Sequence, residues 1–340
     1  MAPSGKRTGI VQVAKLAGVS PMTVTRTLNA SAPVAEATRK RVLEATEKLG
    51  YKANPFARAL RGCKTKSVGI VWGLGGPHSS VGIVRDMSWE LHKQGYVTYI
   101  NDSLSDPEAI RKILREYVDR RVDGLIISVH FMCLLEDKQI QKLLRQLPAV
   151  VIESPENHDL PYDKLILDYY RSMEDIVDHF AKTGRKRPAA VTDAVSVQPR
   201  IKVFKRRLEH HGIDTKDFFI DIVREGVPLG RWFVDGLVRR YPDGKYPFDA
   251  VWTSCDEGAA ALMAHFIERG YRIPEDIAVV GFNNNETSQY LTPPLASVER
   301  MNGQVMSAMV SMLLNRMAAP RSKLKEETVY MEFVPRKSAG

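Results

Sequence analysis

The sequence predicts a small all-helical module with a helix-turn-helix, followed by a larger two-lobed α/β domain with parallel sheets. Three observations predict it: where the positive charge lies, how apolar residues are spaced over the first fifty positions, and what alternates after Lys66. At 340 residues the chain exceeds the usual size of one domain.

The chain carries a formal +9, and residues 1–66 hold thirteen Lys and Arg against three Glu, a local net of +10. The remaining 274 residues hold 36 basic and 37 acidic side chains, a net of −1. Basic side chains bind phosphates by releasing condensed counterions, so a basic module on a near-neutral body points to nucleic acid. A merely solvated basic tail would lack the apolar periodicity found there.

From Gly9 to Gly18, Ile10, Val13, Ala14 and Ala17 recur at helical spacing, and Gly18 ends the helix. Ser20 is placed to cap a second helix, with Pro21 at its first position, where a missing N–H costs nothing. Only Gly18 and Val19 separate the two, which makes a helix-turn-helix. On the second helix Val24 and Leu28 share the inward face, and Met22 and Arg26 the outward one. The planar fork of Arg26 matches guanine O6 and N7, and Met22 offers apolar contact to a thymine methyl. Thr23, Thr25 and Asn29 suit phosphate oxygens. A solvent-exposed helix charge is the plainer reading of Arg26.

A third helix is expected from Ala35 to Leu49, with Val42, Ala45, Thr46 and Leu49 inward and Gly50 as its stop. Pro55 disfavours helix at Asn54, so residues 51–55 should be extended. The following Pro55–Arg61 segment is too short for an independent helix and is expected to fold on binding. The expected domains are therefore 1–52 for the headpiece, 53–66 for a hinge helix and linker, and 67–340 for the body.

Val13-Ala14-Lys15-Leu16-Ala17-Gly18-Val19-Ser20-Pro21-Met22-Thr23-Val24, then Arg26, Leu28-Asn29, Thr38-Arg39, Leu49-Gly50-Tyr51 and Asn54-Pro55…Ala57-Arg58-Ala59-Leu60, resembles the DNA-binding headpiece of the LacI/GalR transcriptional regulators. The resemblance implies that Met22 and Arg26 approach base edges, that Asn54, Ala57 and Arg58 belong to the DNA-contacting hinge, and that Leu60 of two subunits wedges into the minor groove. Such a wedge costs unstacking energy, offset by contacts the bent duplex permits. Three positions depart from the family pattern: Gln12 for Asp, Thr25 for Ser, and Ala35 for the Ser that caps the third helix. Losing that cap should cost about 1 kcal/mol unless Thr38 or Glu36 compensates locally.

After Lys66, short apolar runs alternate with helical patterns, as in a parallel sheet covered on both faces. Strands are expected at 67–72, 97–101, 124–129, 149–152, 189–192, 250–253 and 277–282, and helices at 84–94, 107–119, 173–183, 198–211 and 257–269. The same resemblance continues through Arg120-Arg121-Val122-Asp123-Gly124, Phe248-Asp249-Ala250-Val251, Ile273-Pro274-Glu275-Asp276-Ile277 and Leu291-Thr292-Pro293-Pro294-Leu295. It implies a periplasmic-binding-protein-like effector domain that dimerises and holds a small molecule between its lobes. By position in the family pattern, Arg200 and Asp256 are the main polar effector contacts, joined by Glu153, Ser79 and Ser80. An inter-lobe salt bridge is the other role open to Arg200, Asp256 and Glu153. Cys255 and Tyr169 stand where Asn is common, and Asn283-Asn284 replace an Asp pair. A carbohydrate-like effector follows only from the habit of the family.

No stretch approaches the roughly 18–20 apolar residues of a membrane span, and MAPSGKRTG lacks the apolar core of a signal peptide. A cytoplasmic protein without membrane contact is expected. Cys63, Cys133 and Cys255 are odd in number, with no His at ligand spacing, so reduced thiols, no metal site and no cofactor are expected. Gly73-Leu74-Gly75-Gly76 is not GxGxxG, and Glu90 falls inside a helix instead of after a second strand. His210-His211 and Cys255-Asp256-Glu257 lack triad or HExxH companions. A sugar- or nucleotide-acting enzyme, or a solute-binding protein of the same lobe fold, is the alternative. The expected partners are double-stranded DNA with a pseudo-palindromic operator, a small effector and a second copy of the chain. Whether dimers pair into tetramers stays open.

Overall fold

The computed structural model describes residues 9–29, 32–51, 64–73, 79–102, 106–128, 137–153, 162–192, 194–222, 229–299 and 303–340. The chain divides into two compact units, Met1–Thr65 and Lys66–Gly340.

The first unit holds α1 (Ile10–Ala17), α2 (Pro21–Asn29) and α3 (Glu36–Lys48). Val13, Ala14, Ala17, Val24, Val42 and Ala45 form its core, with Ile10, Val19, Leu28, Leu49 and Tyr51 packed against them. The turn between α1 and α2 depends on Gly18, whose φ of 65° lies in the left-handed region that disfavours a β-carbon. There the N–H groups of Gly18 and Val19 donate to the carbonyls of Lys15 and Ala14, closing the helix end. Gln12 has a local task, since its Oε1 accepts the Gly9 N–H at 2.9 Å. Ala35 caps nothing with its side chain. In the first turn Glu36 instead provides a negative charge favourable to the helix dipole.

The second unit begins with β1 (Ser67–Trp72), α4 (Ser79–Lys93), β2 (Val97–Asp102), α5 (Pro107–Asp119), β3 (Gly124–Ser128), α6 (Lys138–Leu144), β4 (Ala149–Glu153) and β5 (Asp163–Asp168). There follow α7 (Tyr170–Lys182), β6 (Pro188–Thr192), α8 (Ala194–His210), β7 (Phe219–Asp221), α9 (Leu229–Arg240), β8 (Ala250–Thr253), α10 (Asp256–Glu268) and β9 (Ala278–Val280). Last come β10 (Ser297–Glu299), α11 (Gly303–Ala318), β11 (Glu326–Tyr330) and β12 (Glu332–Val334). One lobe is built on the parallel sheet β11-β5-β4-β3-β1-β2 and the other on the parallel sheet β7-β6-β8-β9, beside an antiparallel β10-β12 pair.

The chain passes between lobes at β5 to α7, at β10 to α11, and at β11 to β12. Two of these crossings are tied together, because the Met331 N–H donates to the Asp168 carbonyl at 2.8 Å. Some elements start earlier than apolar spacing alone predicts. Thus α7 begins at Tyr170, where the Asp168 carboxylate accepts the Tyr170 N–H at 2.8 Å. Conversely, β9 is shorter than 277–282, because the chain leaves the ladder toward Asn283 and Asn284, whose φ values of 105° and 50° no strand accommodates.

The return of α11 to the first sheet is fixed by a buried ion pair. Arg316 donates from Nε and Nη2 to the two Asp163 oxygens at 2.8 and 2.6 Å, the side chains being 7% and 2% exposed. Its remaining donors reach the carbonyls of Pro320, Ser322 and Lys323, and the Lys325 N–H also donates to Asp163. Removing one partner of such a pair strands a buried charge. Arg316→Met should lower unfolding free energy by about 3 kcal/mol in urea denaturation, and adding Asp163→Leu should recover part of it. A loss no larger than that of an exposed-arginine variant would show that the pair does not hold the crossover.

Candidate nucleic-acid interface and effector cleft

The start of α2 follows from two residues. The Ser20 hydroxyl accepts the Thr23 N–H at 3.1 Å and shares a 3.0 Å contact with the Thr23 hydroxyl, and Pro21 opens the helix. Val24 is fully buried and Leu28 packs on the same core. Met22, 61% exposed, and Arg26 then stand one turn apart on the outward face. The Thr25 hydroxyl donates back to the Pro21 carbonyl at 3.0 Å, so only its lone pairs are available outward, which suits a donor better than a phosphate oxygen. Asn29 ends α2 with its side chain outside the described residues, as are Asn54, Ala57, Arg58 and Leu60 altogether.

In the larger unit, Arg200 sits on α8 one turn before the buried Phe204. Its guanidinium carbon lies 4.5 Å from the ring centre of Phe282, 5.8 Å from Tyr169 and 6.0 Å from Trp252. Three rings thus seat one cation, an arrangement favourable through their quadrupoles. These residues stand at the carboxyl ends of β8, β9 and β5, where ligands of open parallel sheets bind.

Asp256 does something other than expected. It is 3% exposed, and its carboxylate accepts from Ser297 Oγ at 2.5 Å, Ser288 Oγ at 2.7 Å and the Asn285 N–H at 2.6 Å. The Asp256 N–H also donates to the Phe282 carbonyl at 3.0 Å. A β-carbon on Gly281 would collide with this carboxylate, so glycine is required there. Asp256 is spent inside its lobe and is withdrawn as an effector contact. Burial raises its pKa to about 6, against the lowering effect of Ser297, Ser288 and the Asn285 N–H. Glu153 ends β4 and Ser79 and Ser80 open α4, with their side chains outside the described residues.

Residues 9–54 match the family of bacterial regulatory proteins, lacI family, and residues 177–339 match the periplasmic binding protein-like domain. The chain joins a LacI-family helix-turn-helix domain to a periplasmic-binding-protein-like domain. Among its relatives, the HTH-type transcriptional repressor PurR of Aliivibrio fischeri strain MJ11 is 29% identical over 339 residues, 97% of each chain. PurR of Mannheimia succiniciproducens is 26% identical over 349 residues, 97% of this chain and 98% of the relative. The lac repressor dimer bound to operator and the anti-inducer ONPF aligns with a TM-score of 0.83 at 22% identity, covering 98% of this chain and 99% of that one. A complex of the transcriptional regulator CelR with cellobiose aligns at 0.67 and 22% identity, covering 98% and 100%. The protein is a DNA-binding transcriptional regulator of the LacI type, and the relatives named here are repressors or regulators, not enzymes.

Other residues of the regulator take structural roles. His211 meets Asp178 at 2.6 Å on the surface beside Arg207, which pairs with the same carboxylate. Cys255 is buried, which drives its thiol pKa up and leaves it inert. Cys63 and Cys133 lie outside the described residues. Among the described residues no His, Cys, Asp and Glu group has the arrangement of a metal site, and no helix is long and apolar enough to cross a membrane. Sequence reasoning passed over Thr192, Trp252 and Phe282 as cleft residues. Only their place at strand ends hinted at it.

The raised pKa of Asp256 has a definite sign. A carboxylate held near 6 when folded and 3.8 when unfolded adds stability on acidification, present in full below 3.8 and lost as pH rises through 6. Asp256→Asn removes this dependence. From pH 7.5 to pH 5 the wild type should gain about 1 kcal/mol relative to the variant in urea unfolding. A gap between the two proteins that stays constant over that range would refute the buried, raised carboxylate.

Proposed function

We propose that this regulator is a repressor that binds a pseudo-palindromic operator as a homodimer and is controlled by a small polar molecule in the inter-lobe cleft. The observation that carries the DNA reading is the capped α2 with Met22 and Arg26 on its solvent face and Val24 locked into the core. A helix so held presents its first turns to a major groove, Arg26 reading a guanine and Met22 meeting an apolar base edge. Asn54, Ala57, Arg58 and Leu60 supply the hinge contacts, with Leu60 as the minor-groove wedge.

The dimer reading draws support from an exposed apolar set on α4 and the edge strand β2: Val81, Trp89, Val97 and Ile100. Its partner in this reading is a second copy of the chain, which also supplies the second half-site contact. For the effector, the aromatic seat of Arg200 favours a compact polar ligand, and the CelR complex with cellobiose favours one with hydroxyl groups. Effector binding controls DNA only so far as the ligand prefers one lobe arrangement over another.

The reading is tested by electrophoretic shift on duplexes selected from a random library by the full chain. Arg26→Ala should weaken the selected site by about 1–3 kcal/mol and relax preference at one base pair per half-site. A uniform loss across all sequences would instead make Arg26 a phosphate contact. A chain of residues 66–340 should lose the shift while keeping any ligand-induced rise in melting temperature. Equal binding by both chains would sink the headpiece assignment.

A further inference from the structure

The lobe built on β7-β6-β8-β9 sorts its side chains onto two faces. Ala190, Ala250, Trp252, Val280 and Phe282 enter one core, whereas Ala189, Val191, Val251 and Val279 enter the other. Strand alternation therefore places Thr192, two residues after Ala190, on the face of Trp252 and Phe282. All three lie at the carboxyl ends of adjacent strands, and α8 covers this face through Ile201, Phe204 and Leu208. Arg200 stands over the same end, 4.5 Å from Phe282 and 6.0 Å from Trp252.

Two of these groups carry buried polar atoms without a hydrogen-bond partner among the described residues. Thr192 and Trp252 are both 0% exposed, and neither Thr192 Oγ1 nor Trp252 Nε1 has a hydrogen-bond partner among the described residues. A buried donor left unpaired costs free energy on the scale of a lost hydrogen bond, and such exceptions call for an explanation. The neighbouring Thr253 differs, its hydroxyl donating to the Cys255 carbonyl at 2.8 Å. The indole N–H and the guanidinium donate and never accept. Asp256, the carboxylate that follows β8, is turned away and saturated by Ser297, Ser288 and Asn285.

We infer that the effector carries an oxyanion, a carboxylate or a phosphate, that docks on Arg200, Thr192 and Trp252. This rests on the cleft being the effector site of a regulator, and it narrows the class of ligand from polar molecules in general to acids. A neutral hydroxyl must itself donate somewhere, and of the three groups only the Thr192 oxygen could accept from it, whereas the indole and the guanidinium could not. An oxyanion only accepts, and its charge-assisted bonds to a guanidinium are roughly twice as strong as neutral ones.

The test uses the full chain and five probes at one ionic strength: D-glucose, D-glucuronate, D-glucose 6-phosphate, adenosine and sodium phosphate, followed by calorimetry and melting temperature. Glucuronate or glucose 6-phosphate should bind saturably and at least tenfold tighter than glucose, the better of the two identifying carboxylate or phosphate. Phosphate alone binding as tightly as glucose 6-phosphate assigns the site to the free anion. Glucose or adenosine matching the acids, or no saturable binding by any acid, overturns the inference. Thr192→Val deletes one donor at nearly constant shape, Trp252→Phe deletes the other at the cost of part of the ring, and each should weaken the acid at least fivefold. Acid affinity unchanged in both variants also overturns it, and the wild-type panel decides alone if a variant does not fold. Operator binding is measured in the same buffer. Failure of the acids with the operator still bound removes this inference only, whereas failure to bind any operator removes the regulator reading.

Discussion

The effector lobe is organised around one buried carboxylate. Asp256 joins the first turn of α10, the 283–285 loop, the turn at Glu286–Tyr290 and β10, because Ser297, Ser288 and the Asn285 N–H all donate to it. Burying a carboxylate is costly unless it is hydrogen-bonded, and here three donors offset that cost. The two positive φ angles at Asn283 and Asn284 follow from that demand, since the chain must turn sharply after Phe282 to bring Asn285 back to the carboxylate. Phe282 enters the turn with its carbonyl fixed by the Asp256 N–H. The ring nearest to Arg200 is thus held by a residue that does not itself meet the cation.

The same seat reaches the junction between lobes. Tyr169 lies between β5 and α7, in the first crossing, and its ring belongs to the set around Arg200. Beside it, Asp168 accepts the Met331 N–H from the last crossing and the Tyr170 N–H that starts α7. A ligand that shifts Arg200 therefore acts on a side chain next to two of the crossing strands. Far from that junction, Arg316 and Asp163 fix the return of α11 to the first sheet. Motion is left to the few residues where the chain changes lobe, which is how hinge closure distributes dihedral change.

Much of the fold was legible because it rests on local signals. The strands Ser67–Trp72 and Ala250–Thr253 and the helix Pro107–Asp119 fall where the apolar runs and helical patterns place them. The headpiece was legible for the same reason, its core being set by spacing within forty residues. The role of Asp256 was not, since Ser288 and Ser297 lie 32 and 41 positions away and carry no sign that they point inward. Position in a family pattern marked the carboxylate as special. Only packing distinguished a ligand contact from an internal brace. Similarly, β11 and β12 are short and largely exposed, so they lack the apolar run by which a buried parallel strand is recognised.

The departures from the family pattern around the cleft have structural reasons. Asn284 donates from Nδ2 to Glu299 at 2.7 Å and accepts from Arg336 at its Oδ1 at 2.6 Å, so it uses both halves of the amide. An aspartate there would set one carboxylate against another. Tyr169 contributes a ring to the arginine seat where a smaller amide would leave it thinner. Cys255 precedes α10 as a buried apolar residue and takes no part in capping, leaving the helix start to be anchored by Asp256 through Phe282. Of these changes, those at Tyr169 and Cys255 set a ring and a buried thiol near Arg200 where an amide is common. Arg200 is thus a cation that the count of net charge does not register, seated on three rings beside the Tyr169 crossing between the lobes.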